Sequence, residues 1–261
     1  MEGGMIMRRH TQLWLSSIAV AALMASAGAN TWDETANGGG DAGDLPASAQ
    51  IVNLGIGAAP LTSITGIIDS STDVDMFQFI ITDTQNFRVW VTAPAGGLSD
   101  SQLWLFDNQG NALWHNDDRP SDVVQPGQGS FHSYIGPGSA ATNYRLSNTT
   151  NAGDLGAGTA SWWGWTLGPG IYYIAISAYN RDPRDSGGGN IIFSRTSAPF
   201  SPIIRSNEAD TDRVVASWTG TGGTGAYILN FENASLVPEP ASMVALGAGL
   251  AGLLGLRRRK K

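Results

Sequence analysis

Between residues 45 and 236 apolar residues almost never recur at helical spacing; short β-branched and aromatic runs alternate instead with clusters of Gly, Asn, Asp and Pro. Side chains repeating with a period of two stand on opposite faces of a strand. Many such runs, each closed by turn residues, build an all-β sandwich. Candidate strands are 49–54, 61–68, 76–82, 87–92, 102–106, 112–115, 171–177, 190–194, 213–219 and 226–231. Phe77, Phe79 and Ile81 fall on one face, as do Phe87, Val89 and Val91, and these are core positions; Arg88 and Thr92 point the other way. Asp107-Asn108-Gln109-Gly110-Asn111 is a hairpin signal, because its residues tolerate positive φ. Trp104 and Trp114 are expected between the sheets. Residues 117–167, rich in Gly, Pro, Ser, Asn and Thr, read as a long insertion in a body spanning 30–236.

Both ends carry segments of another kind. Arg8 and Arg9, the apolar run 13–24, and the small residues Ala25-Ser26-Ala27 or Ala27-Gly28-Ala29 form a secretory signal peptide over 1–29. It predicts a signal helix read by the Sec machinery and signal peptidase. At the other end Val237, Pro238, Glu239 and Pro240 precede an apolar run, 241–256, and the cations Arg257, Arg258, Arg259, Lys260 and Lys261 stop it. The prolines end the preceding strand, and the cations mark a cytoplasmic face. As a transmembrane helix the run is short, below the lower limit of about 17 residues, so a transient anchor suits it. The Val-Pro-Glu-Pro start, Gly-rich helix and Arg cluster together resemble the PEP-CTERM sorting signal of Gram-negative bacteria. That resemblance implies cleavage near the motif by an exosortase-type membrane protease. The body would then pass from the inner membrane to the cell surface, the extracellular matrix or surface polysaccharide. An anchor that stays uncut has the same physics.

Without its two signals the chain is strongly acidic. Residues 30–236 hold 8 Arg and no Lys against 20 acidic residues, 17 of them Asp, for a formal charge of −12. Such a field repels phosphate backbones and anionic lipid, which argues against nucleic-acid partners. Cysteine is absent, so no disulfide helps hold the exported body.

Asp41-Ala42-Gly43-Asp44-Leu45-Pro46, the run 61–68, Asp73-Val74-Asp75-Met76-Phe77, Leu103-Trp104-Leu105-Phe106-Asp107 with Gly110, and Gly170-Ile171-Tyr172-Tyr173-Ile174-Ala175-Ile176 resemble, in order and spacing, the bacterial pre-peptidase C-terminal domain. The resemblance covers about 41–177. It implies a jelly-roll-like β-sandwich, non-catalytic, which in some members binds calcium or extracellular polymers. No protease domain precedes it here, so a role as protease appendage does not carry over.

Calcium takes six to eight hard oxygens from flexible loops. Asp33, Glu34, Asn37, Asp41 and Asp44 precede the first candidate strand, and Asp69, Asp73 and Asp75 precede the strand at Met76. In calcium-binding relatives the corresponding segment and loop share the ion, which makes Glu34, Asn37, Asp41, Asp73 and Asp75 the candidate Ca²⁺ ligands. The alternative is a set of solvated Asp turns. Trp162, Trp163 and Trp165 offer either a platform for sugar rings or additional core.

Residues 220–225 match a dinucleotide-binding string, but a strand rather than a helix is expected to follow, so a hairpin turn is the expectation. The body's histidines are His115 and His132, and it lacks a Gly-x-Ser-x-Gly elbow and a His-Glu-x-x-His helix. No catalytic residue is assigned. Three functions follow: a non-catalytic surface or biofilm-matrix protein, a lectin-like carbohydrate binder, and, last, a glycan-active hydrolase using two facing carboxylates.

Overall fold

A computed structural model describes residues 28–138, 144–146, 167–191, 203–205 and 213–239. These are all-β, with no helix among the described residues. Both signal segments, apart from Gly28, Ala29 and 237–239, and the Trp162, Trp163 and Trp165 group lie outside them.

The strands are β1 (Asn30–Asp33), β2 (Gln50–Ile51), β3 (Pro60–Ile68), β4 (Val74–Ile81), β5 (Arg88–Thr92), β6 (Ser101–Asp107), β7 (Ala112–Asn116), β8 (Tyr134–Ile135), β9 (Tyr144–Leu146), β10 (Gly170–Ala178), β11 (Asp182–Arg184), β12 (Ile203–Arg205), β13 (Ser217–Thr219) and β14 (Gly225–Ser235). One half of the main sheet carries β1, β3, β14, β5 and β8; the other runs β4, β10, β6, β7, β12 and β9, with β2 beside β4. The halves meet through β14. Its first part pairs with β3 and β5, the ladder to β3 shifts between Asn230 and Ala234, and Ala234 and Ser235 then pair with β4. Asn233 takes φ 59° at this irregularity, a value Asn tolerates.

Alternation sorts the core as expected. Phe77, Phe79, Ile81, Phe87, Val89 and Val91 are all fully buried, in one cluster with Ile64, Ile68, Leu105, Trp114, Ile174 and Leu229. A second cluster lies on the opposite face of β4, β6 and β10, where Val74, Met76, Trp104, Phe106 and Ala175 pack beneath the small β11–β13 sheet with Trp218. Trp104 is therefore not between the two halves with Trp114: it stacks on His115 and meets Trp218 edge-on.

Other boundaries also move. The first strand is β1, upstream of any expected one, and it pairs in parallel with β3. Only Ser217–Thr219 of 213–219 is a strand, and at 190–194 the described residues show one isolated bridge, Arg184 to Asn190. Residues 220–225 are followed by β14, as expected, but they form a crossover, not a hairpin: β13 pairs with β11, and β14 with β3 and β5. Asp107–Asn111 does turn as a hairpin, with Asp107 Oδ1 accepting from the Gln109 and Asn111 amides and Gly110 at φ 84°. Part of 117–167 belongs to the core, since Tyr134 and Ile135 are fully buried and pair with β5.

Candidate functional site

The site grows from the ladder of β3 with β14. Gly66 and Tyr227 are partners in it, and a Cβ on Gly66 would collide with Tyr227 Oη and stand 2.7 Å from Glu34 Oε2. Glycine here leaves the space that the phenol and the carboxylate fill. Glu34 follows β1 directly, its amide bonded to Thr65 O, and it is 3% exposed. Its Oε1 accepts from the Ala42 amide (2.9 Å) and its Oε2 from the Ile67 amide (3.0 Å). The loop from 34 to 44 is tied down by Gln50, whose Nε2 donates to Glu34 O and Gly40 O while its Oε1 accepts from Trp32 Nε1. That closure carries Asp41 back over the start of β4, where the Met76 amide bonds Gly43 O.

Asp75 meets them from inside. It lies in β4, not in the loop before it, and shares the alternation of Phe77, Phe79 and Ile81, so its side chain enters the core face. It is fully buried, and Tyr227 Oη donates to its Oδ2 at 2.7 Å. No hydrogen bond reaches its Oδ1. Carboxylate oxygens of Glu34, Asp41 and Asp75 all lie within 4.8 Å of one another.

Of the expected ligands, then, Glu34, Asp41 and Asp75 come together. Asn37 stays in its own turn, its Oδ1 accepting from the Asp33 amide, and Asp73 Oδ2 accepts from the Asp69 amide. Asp33 binds the Ala36 amide and Thr65, and Asp44 O accepts from Trp218 Nε1.

The electrostatics follow from burial. Desolvation pushes the Asp75 carboxyl up to about 11, with the charges of Glu34 and Asp73 adding to it and the Tyr227 hydroxyl opposing. Burial raises Asp73 to about 6, raises Asp41, where Asp69 also contributes, and holds Tyr227 well above its ordinary value. Among the described residues no Lys or Arg pairs with Glu34, Asp41 or Asp75; Arg181 acts at longer range on Asp44 and Asp73. A buried carboxylate with one donor-less oxygen, close to two further carboxylates, fits two occupants, a proton or a hard divalent cation. The donor set is all oxygen, the set calcium prefers.

A second acidic group was not legible as such in the sequence. Asp100, Asp117 and Asp118 place carboxylate oxygens within 4.8 Å because the β6–β7 hairpin pairs Leu103 with Asn116 and so brings the strand ends together. Burial, with the charge of Asp118, raises Asp100 to about 6. The signal for it was the Asp107–Asn111 turn, from which the register can be counted outwards. Both candidate histidines are structural neighbours of backbone: His115 Nδ1 contacts Leu103 O, and His132 contacts Leu98 O through Nε2 while its Nδ1 accepts from the Gly129 amide.

The sorting tail begins inside the fold. Ser235 and Leu236 are buried, the Leu236 amide bonds Ala59 O, and the Val237 amide bonds Val52 O. Pro238 is exposed, and Glu239 is the last described residue before Pro240. Residues 236–260 match the PEP-CTERM protein-sorting motif. The chain therefore carries a signal for export and for membrane passage at its C-terminal segment, processed by exosortase, a membrane protein. No curated protein and no solved structure matches the chain.

Proposed function

We propose that the body is a non-catalytic, calcium-stabilised β-sandwich of the bacterial cell surface or biofilm matrix, acting by association with extracellular polymer and not by turnover. The sorting motif supports the destination. The observation that carries the calcium is the buried Asp75, whose Oδ1 receives no hydrogen bond and whose carboxylate lies within 4.8 Å of those of Glu34 and Asp41. A cation there would cancel the repulsion among three carboxylates and join two separate pieces of chain: the 34–44 loop, through Glu34 and Asp41, and β4, through Asp75. Asp75 is fully buried, so the ion would act as a clasp and not as a Lewis acid toward substrate. The resemblance to the pre-peptidase C-terminal domain supports the same reading.

Terbium, which takes calcium's oxygen sites, tests it, because Tyr227 donates directly to Asp75 and is placed to sensitise its emission. Saturable luminescence that calcium displaces and Tyr227→Phe reduces is the expected result. Emission that does not saturate, or that is indifferent to Tyr227→Phe, would remove the ion from this cluster.

A further inference from the structure

The folded body and the membrane-directed run are separated by almost no chain. The last backbone bond of the body is Val237 N to Val52 O, and Leu236, fully buried, is held by Ala59 O. The loop 53–59 that links those two carbonyls runs alongside the tail: a Cβ at Gly55 would stand 3.2 Å from Glu239 Oε1. Glu239 is two residues from the start of the apolar run at Ala241. Even fully extended, two residues span only about 7 Å. The polar headgroup layer on each side of a bilayer is about 5–8 Å thick. Gly55, beside Glu239, is therefore within reach of the headgroup layer whenever residues 241–256 occupy the hydrocarbon.

That loop is built to be there. Ile56 sits at its tip between Gly55 (φ 72°) and Gly57 (φ 78°) and is 49% exposed, with Ile51 beside the loop at 53%. Although the body carries a formal charge of −12, residues 45–68 contain no charged side chain at all. The loop thus adds no charge of its own to the acidic body, and the carboxylate beside it is that of Glu239 in the tail.

We propose that loop 53–59, led by Ile56 and flanked by Ile51, is a membrane-docking surface that inserts into the lipid headgroup layer and sets the body flush on the bilayer before the tail is cut. The occupant is zwitterionic phospholipid, contacted through apolar side chains, so docking is insensitive to salt. Exosortase would then meet its motif at the lipid surface, against the body and not on a free stalk. This rests on the reading of 241–256 as a membrane segment.

The chain has no cysteine, so one label site can be introduced at will. Full-length Ile56→Cys and Ile67→Cys proteins would be labelled with a fluorophore and reconstituted into phosphatidylcholine vesicles containing a nitroxide-bearing lipid. Ile67 is the control: it is 52% exposed and lies seven residues along β3 from Pro60, about 23 Å away. Several-fold stronger quenching at position 56 than at 67, unchanged by added salt, is expected. Equal quenching at the two positions overturns the proposal, and so does a difference that appears only when exosortase is co-reconstituted, which would assign the loop to the protease. A chain that fails to float with the vesicles refutes the membrane-segment reading itself, and is distinguished from the other outcomes by the flotation.

Discussion

Replacing Asp75 by Asn separates the two occupants of the buried cluster. Asn keeps the shape of the side chain and an acceptor for Tyr227, and it removes the charge that burial makes so unfavourable. Its amide also offers donors toward Glu34 and Asp41. In EDTA at neutral pH the variant should therefore be as stable as the native body or more so, since no carboxylate has to be neutralised in the core. In calcium the order should reverse. A ligand present at about a hundred times its dissociation constant stabilises the folded state by about 2.7 kcal/mol. For a body of about 200 residues each kcal/mol moves Tm by roughly 2–4 °C, so the native protein should gain about 5–11 °C. The variant, short of its innermost ligand, should gain little. The assay is a thermal melt in calcium against EDTA at fixed ionic strength, with magnesium as a control for hard-cation selectivity. A native protein with no calcium shift, or a variant that shifts as far as the native one, would refute the assignment of an ion to Asp75.

Three further outcomes follow from the geometry. Gly66→Ala should cost roughly 1–3 kcal/mol and abolish any calcium response, because its methyl group would collide with Tyr227 Oη and Glu34 Oε2; urea unfolding with and without calcium measures both. In EDTA, Tm should fall as pH rises from 4.5 to 8. Asp73 and Asp75 have folded pKa values above their unfolded ones, so the stability they contribute is full below the unfolded value of 3.8 and is lost through about 6 for Asp73 and onward for Asp75. Calcium should flatten that slope by competing with the proton, and a flat or rising profile in EDTA would contradict the shifts. Leu236→Ala, at a fully buried position, should cost about 2–5 kcal/mol and speed amide exchange at Val237, whose bond to Val52 it loosens.

Legibility varied with the kind of information a feature needs. The central strands could be read because alternation is local: each of β3, β4, β5, β6, β7 and β10 overlaps an expected strand within a few residues. β1 could not, since Asn30–Asp33 has no apolar alternation and exists by pairing with β3. β8 was hidden for the same reason, as Tyr134 and Ile135 become a strand only when β5 is beside them. Trp104 and Trp114 were read as one layer, yet they stand on opposite faces, because which face of β6 and β7 meets the other half-sheet is decided far away in sequence.

The sequence by itself determined the all-β class, the C-terminal sorting motif, the acidity and the list of oxygen-bearing residues near positions 34–44 and 69–75, all properties carried by neighbours along the chain. Only the tertiary structure decided which of those oxygens meet. Asp75 joins Glu34 and Asp41 while Asn37 and Asp73 do not, because its place in β4 turns it inward to Tyr227, 152 positions away. The seating of the sorting tail was likewise invisible: Val237 is held by Val52 and Leu236 by Ala59 through backbone bonds that carry no side-chain signature. Burial and pairing between distant segments, which set both the charge state of Asp75 and the reach of the tail, depend on through-space distance, and a linear pattern does not encode it.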